Sequence, residues 1–122
     1  MSIFTIIKKV AGPVLATHNF VLEGKQGSLR IAFSKKRDDV TQYIVFQKSN
    51  FQHAMRIEFS TSIKPIPVLG HSLSDKYINK FWWEYDDSNI ETKYTIINEL
   101  LSIAINDGIS YLETMSIPEL LE

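Results

Sequence analysis

The sequence predicts an α+β domain: an antiparallel sheet of three to five meandering strands, packed by an N-terminal helix and a C-terminal helical segment. Two-residue alternation of apolar and polar side chains runs through residues 29–63, the period of strands with one buried face. On either side of that block apolar residues recur at three- and four-residue steps, the period of a helix buried along one stripe. The gaps between the alternating segments are a few residues each, too short for the crossovers that parallel strands need.

The elements follow in order. Ile3, Phe4, Ile7, Val10, Val14 and Leu15 form one helical stripe, interrupted by Gly12-Pro13. Proline lacks an N–H and clashes with the preceding turn, so a kink or a restart is expected there. Asn19 suits the left-handed residue that closes a helix, and Phe20 opens an extended segment. Gly24-Lys25-Gln26-Gly27 reads as a turn pairing a short strand at 20–23 with another at 29–35. Leu29, Ile31 and Phe33 alternate with Arg30, Ala32 and Ser34. Met55, Ile57, Phe59 and Ile63 alternate with Arg56, Glu58, Ser60 and Ser62. Between these two strands, Tyr43, Ile44, Val45 and Phe46 are apolar on both faces, so the second face needs cover from this chain or from a partner. Turns are expected at 36–39 and 49–54.

Pro65 and Pro67 stop the pattern, because proline cannot donate to a ladder. Residues 70–80 read as loop, and Phe81-Trp82-Trp83-Glu84-Tyr85 as a last strand whose adjacent tryptophans face opposite ways. Ser88 with Glu91 fits a capping box. The helix it opens carries Ile90, Tyr94, Ile97, Leu101 and Ala104 on one stripe, widened by Ile96, Leu100 and Ile103. Gly108 is the predicted stop. Ser116-Ile117-Pro118-Glu119 predicts one last helical turn.

With 122 residues, the chain fits a single domain, 1–122, burying roughly 65% of its unfolded surface. Its apolar and charged fractions, 44% and 22%, are those of a globular rather than a disordered chain. No cysteine is present, which removes disulfides and thiolate chemistry. Lys8 and Lys9 follow a short apolar run, the reverse of a secretory signal, and no apolar run approaches roughly eighteen residues. The expectation is a cytoplasmic protein without a membrane span. Charge is uneven: in residues 1–64 ten Lys/Arg against four Asp/Glu leave +6, and in 65–122 three against ten leave −7. Such a split can mark a nucleic-acid surface. Because Lys35-Lys36-Arg37 runs straight into Asp38-Asp39, the expectation is that the halves fold together and their charges mix.

None of His18, His53 and His71 has a second ligand at metal-binding spacing, and no serine sits in a nucleophile elbow. Asp38-Asp39 and Asp86-Asp87 lie at element ends, where aspartate supports turns. No catalytic residue, metal ligand or cofactor is assigned. Arg30, Arg56 and Glu58 share the wet face of neighbouring strands. They are joined there either by Gln47 with Tyr43 and Val45, or by Lys48 with Ile44 and Phe46. An apolar centre with a charged rim is the make-up of a protein-binding patch or a shallow ligand pocket. The plainer alternative is cross-strand pairing of Arg56 with Glu58 on a solvated face. Trp82 belongs with this group, as cover for the second sheet face or as an anchor for a partner.

The order of a kinked helix ending at Asn19-Phe20, a meander carrying Tyr43-Ile44-Val45-Phe46-Gln47-Lys48-Ser49, Trp82-Trp83, an aliphatic helix and a tail from Tyr111-Leu112-Glu113 to Leu120-Leu121 resembles the small bacterial proteins grouped as domain of unknown function 4304. In that family an aromatic-Gln-Lys-Ser step closes a strand and a Gly-Phe pair usually ends the first helix; here Asn19 stands in place of the glycine. The resemblance implies an α+β fold and brings no reaction, cofactor or catalytic residue. Gln47 and Lys48 carry over only as positions matching the motif.

The leading functional expectation is therefore a non-catalytic protein-binding module of immunity or inhibitor type, or a homodimer, using one sheet face. The alternative is a small-molecule ligand-binding protein or enzyme with a pocket between the sheet and the Trp82/Trp83 segment. There Arg30, Arg56 or Lys48 would hold an anionic group and His53 or Glu58 would carry protons. A third reading, nucleic-acid binding, requires Lys25, Arg30, Lys35, Lys36 and Arg37 to form one surface. The acidic neighbours of the aromatic cluster, Glu84, Asp86 and Asp87, argue against it.

Overall fold

In a computed structural model, which describes residues 1–77 and 79–118, all the helices pack on one face of an antiparallel sheet and leave the other face open. Helix α1 (Ile3–Thr17) is followed by strands β1 (Val21–Lys25), β2 (Arg30–Arg37), β3 (Val40–Lys48) and β4 (Ala54–Thr61), paired in chain order as a meander. The far edge of β4 is shared by two short strands. Val68–Leu69 (β5) pairs with Glu58 and Phe59, and Trp83–Glu84 (β6) with Ala54 and Met55. Helix α2 (Ile90–Ile103), a π-helical turn (Ala104–Gly108) and helix α3 (Ile109–Thr114) complete the helical layer.

Strand parity decides which side chains meet the helices. Ile31, Phe33, Ile44, Phe46, Met55, Ile57 and Phe59 all point to one face and form one buried cluster with Ile3, Phe4, Ile6, Ile7 and Leu15 of α1 and Ile96, Ile97, Leu100 and Leu101 of α2. Trp83 and Tyr85 join this cluster from the aromatic segment. The strand expected over 81–85 shrinks to two paired residues, and β5, beyond the prolines, was not anticipated.

Helix α1 does not restart at Pro13; it runs through it. Pro13 and Lys9 both lie on the exposed side, so the Lys9 carbonyl that loses its amide partner is left to water rather than buried. Asn19 closes the helix with φ of 68°. The Phe20 amide donates to Leu15 O and the Asn19 amide to Ala16 O, each at 3.0 Å, the pattern of a Schellman cap. The first turn falls later than its glycines suggest. Gly24 is drawn into β1 as a bulge with φ of 108°, and the chain reverses over 26–29.

Three terminal signals shift. Asn89, not Ser88, caps α2, its side chain accepting from the Glu91 amide at 3.0 Å, while Ser88 bonds Asp86. Gly108 does not stop the helix; the backbone there is helical, with φ of −68°. Glycine is required instead by the Phe59 ring, which lies 2.2 Å from where a Cβ would stand. Ser116 closes α3 from behind, donating to Leu112 O at 2.6 Å and accepting from buried Gln42 at 2.9 Å. The rest of the expected last turn, from Glu119 on, and the tail residues Leu120 and Leu121 lie outside the described residues.

The close approach at Gly108 has a testable sign. In an exposed helix, alanine is favoured over glycine by about 1 kcal/mol. Here the added methyl meets a ring held by the core, so Gly108→Ala is expected to destabilise by about 1–3 kcal/mol, measured by urea unfolding. A stabilised variant would refute the packing argument.

Candidate functional site

The open face is built from the residues left over by the core. Across β2, β3 and β4, Arg30, Gln47 and Arg56 stand in one row, Ala32, Val45 and Glu58 in the next, and Ser34, Tyr43 and Ser60 in a third. Among the described residues no helix covers them, yet Ala32, Val45 and Glu58 are buried. The cover comes from charged side chains. Arg30 Nη1 donates to Gln47 Oε1 and, at 3.2 Å, to Glu58 Oε1. To reach from β2 to β4 its side chain must lie across β3, spanning two strand spacings of about 4.8 Å each, and so over Val45. Arg56 Nε donates to the second carboxylate oxygen at 3.0 Å. The indole of Trp82 stacks on the Arg56 guanidinium at 4.8 Å.

Glu58 is 2% exposed, a buried carboxylate held by two guanidinium groups that keep one edge in water. Burial of a lone carboxylate is costly, and charge-assisted hydrogen bonds on both oxygens offset that cost. The result is a fixed platform: arginine stems over an apolar row, an indole stacked at one end, and the half-buried Tyr43 at the other. Beside Tyr43 a groove of about 420 Å³ is lined by Glu23, Arg30, Val45, Ser60 and Pro65, and Glu23 accepts from Ser34 Oγ at 2.9 Å.

Six of the eight candidate residues thus come together on this face: Arg30, Tyr43, Gln47, Arg56, Glu58 and Trp82. Lys48 and His53 do not join them. Lys48 has the opposite parity, pairs with Met55, and uses its ammonium on the carbonyls of Ser49 and Gln52 at 3.2 and 3.5 Å. His53, in the β3–β4 loop, packs edge-on against Tyr85 with ring centroids 5.6 Å apart, and its Nδ1 is 3.8 Å from Asp87. Trp82 and Trp83 face opposite ways as expected. Trp83 is buried in the core against Tyr77, and neither tryptophan lines the groove beside Tyr43.

Three polar residues around Lys48 and His53, Lys93, Tyr85 and Asp87, are not among the candidate site residues that the sequence suggests. Lys93 is buried on α2, its Nζ 3.1 Å from Asp87 and 3.0 Å from Met1 O. Its signal was present: at three, four and seven residues before Ile96, Ile97 and Leu100, it occupies the apolar phase of the helix. Tyr85 has its pKa pushed up to about 12 by burial, then by the charge of Asp87. Asp87 is held below the usual carboxylate range, chiefly by its hydrogen bond from Lys93. Asp86 is lowered too, by hydrogen bonds from Ser88.

Among the described residues no group of three His, Cys, Asp or Glu could hold a metal ion, and no helix is long and apolar enough to cross a membrane. Comparisons with protein-family models, with curated proteins and with solved structures found no match to this chain.

Two outcomes follow. Arg30→Ala and Arg56→Ala are each expected to cost about 1 kcal/mol, because the other arginine still pairs Glu58. The double variant strands a buried carboxylate and is expected to cost about 3 kcal/mol or more. Strict additivity in urea unfolding would refute the shared clamp. Because the folded state lowers the Asp87 pKa, its stabilising contribution is complete above the unfolded value of about 3.9 and is lost as pH falls through the folded one. Melting temperature is therefore expected to fall on acidification below about pH 4, with a shallower fall in Asp87→Asn.

Proposed function

We propose that the chain is a non-catalytic protein-binding module, of immunity or inhibitor type, that docks a protein partner on its open sheet face. The observation carrying this reading is the fixed platform of Arg30, Arg56 and Trp82 around buried Glu58, with Tyr43 beside it. Tryptophan, tyrosine and arginine dominate the energetics of protein interfaces. Here the arginines are already immobilised, so less side-chain entropy is lost on docking. The immunity or inhibitor role is an analogy from size and fold; a second copy of the chain meeting the same face is the homodimeric form of the reading.

The groove beside Tyr43 supports small-molecule binding as a second reading, with Arg30 as the group that meets an anion. Nucleic-acid binding has less support. Lys35 and Arg37 of the basic run are engaged by Glu113 of α3 at 3.2 and 2.7 Å, so the basic half is tied to the acidic half. The order of helix, meander, aromatic segment and helix also supports relation to the domain of unknown function 4304. So does the end of β3 at the Phe46-Gln47-Lys48-Ser49 step, while Asn19 keeps the left-handed cap but departs from the family's glycine.

The test uses the immobilised chain as bait, with Trp82→Ala and Tyr43→Ala as variants. Loss of a hot-spot residue costs about 2 kcal/mol, roughly 30-fold in affinity, with little change in melting temperature. A partner, or a second copy, retained equally by wild type and both variants would overturn the assignment to this face. Capture lost only in step with stability would show those residues to be structural.

A further inference from the structure

A second polar cleft lies away from the open face, where the start of α1, the β3–β4 loop and the segment after β6 converge. It measures about 610 Å³ and its lining includes Phe4, Lys48, His53, Tyr85, Asp87 and Lys93. The start of α1 lines the same wall. Ser2 caps this 15-residue helix by accepting from Thr5 N, and Ile6 N reaches Ser2 O. The Ile3 and Phe4 amides are left without a partner among the described residues, and no acidic residue stands in the first turn. Unpaired amides at a helix start carry a partial positive charge.

Independent of the helix, Tyr85 points to a ligand. It is only 8% exposed, it lines this cleft, and its hydroxyl makes no hydrogen bond among the described residues. Its ring is buried while the hydroxyl, with no partner among those residues, opens onto the cleft and is offered to whatever fills it. With its pKa pushed up to about 12, this phenol is a donor at neutral pH. The ammonium groups of Lys48 and Lys93 each hold two groups and have a third donor to spare. Two lysines against the single carboxylate of Asp87, itself paired to Lys93, leave the lining side chains with one net positive charge.

We propose that this cleft binds the oxyanion head group of a small organic molecule, with the Tyr85 hydroxyl, the Lys48 ammonium and the first amides of α1 as its donors. The Phe4 ring supplies an apolar wall for the body of the ligand. Carboxylates and phosphate esters share this chemistry, and the experiment separates them.

Benzoate and phenyl phosphate are titrated separately into the ¹⁵N-labelled full chain, and amide shifts are followed. The expected result is a saturable shift at Ile3, Phe4, His53 and Tyr85 with at least one probe, and none at Gln47 on the open face. The probe that saturates first names the head group. Tyr85→Phe, which keeps the ring, is expected to weaken binding about tenfold, the loss of one hydrogen bond to a charged group. Lys48→Gln serves as the second variant should Tyr85→Phe fold poorly. No saturable shift with either probe, or unchanged affinity in the folded variants, overturns the proposal. No protein partner enters the measurement, so its outcome is separate from that of the proposed protein-binding role.

Discussion

The pairing of Glu58 with Arg30 and Arg56 is the constraint on which the open face depends. A two-layer domain with its helices on one side leaves half of its sheet to water, and β3 is apolar on both sides. Nature's usual cover would be a second helical layer or a bound partner. Here a single buried carboxylate on β4 draws in Arg56 from its own strand and Arg30 from β2, across β3, and the Arg30 stem shields Val45 while the charged ends of both arginines stay wet. The same contact sets the position of Trp82 through its stack on Arg56. Stability and surface chemistry therefore rest on the same three charged groups.

On the helical face the constraint is steric. Phe59 projects from β4 against the α2–α3 junction, and only a glycine backbone fits beneath its ring. The π-helical turn ending at Gly108 lets the helix pass that point without breaking. Gln42, on the same face of β3, then fastens the end of α3 through Ser116. The acidic α3 returns over the basic β2–β3 hairpin, where Glu113 meets Lys35 and Arg37, so the unequal charges of the two halves of the chain are partly joined within the fold.

The meander was legible because one-sided strands write their burial into the sequence every second residue. Leu29 to Phe33 and Met55 to Phe59 carried that phase, and Asn19 and the turns near Asp38 carried backbone signals that the fold obeys. Phase is what β3 lacks. With Tyr43 to Phe46 apolar throughout, alternation cannot say whether Gln47 or Lys48 faces the open side, and Lys48 stands as an equal candidate for a face it does not reach. Ser88 and Asn89 are adjacent residues of equal capping ability, and only the helix register chooses between them. Gly108 looked like a stop because the demand for glycine comes from Phe59, forty-nine residues away in the chain. Strand β5 is two residues long and owes its existence to the edge of β4, not to its own pattern. The second cleft was hidden for the same reason: Lys48, Tyr85 and Lys93 come from three separate elements.

The edges of the sheet carry one more consequence. On one side the outermost strand, β1, is broken by a bulge between Leu22 and Gly24, and on the other the margin is divided between two strands of two residues each. Neither margin offers the long, flat run of free amides and carbonyls that templates strand addition. Polymerisation by edge-to-edge stacking is thereby discouraged even at high protein concentration, and the route to orderly association is left to the broad surface of the sheet rather than its rim.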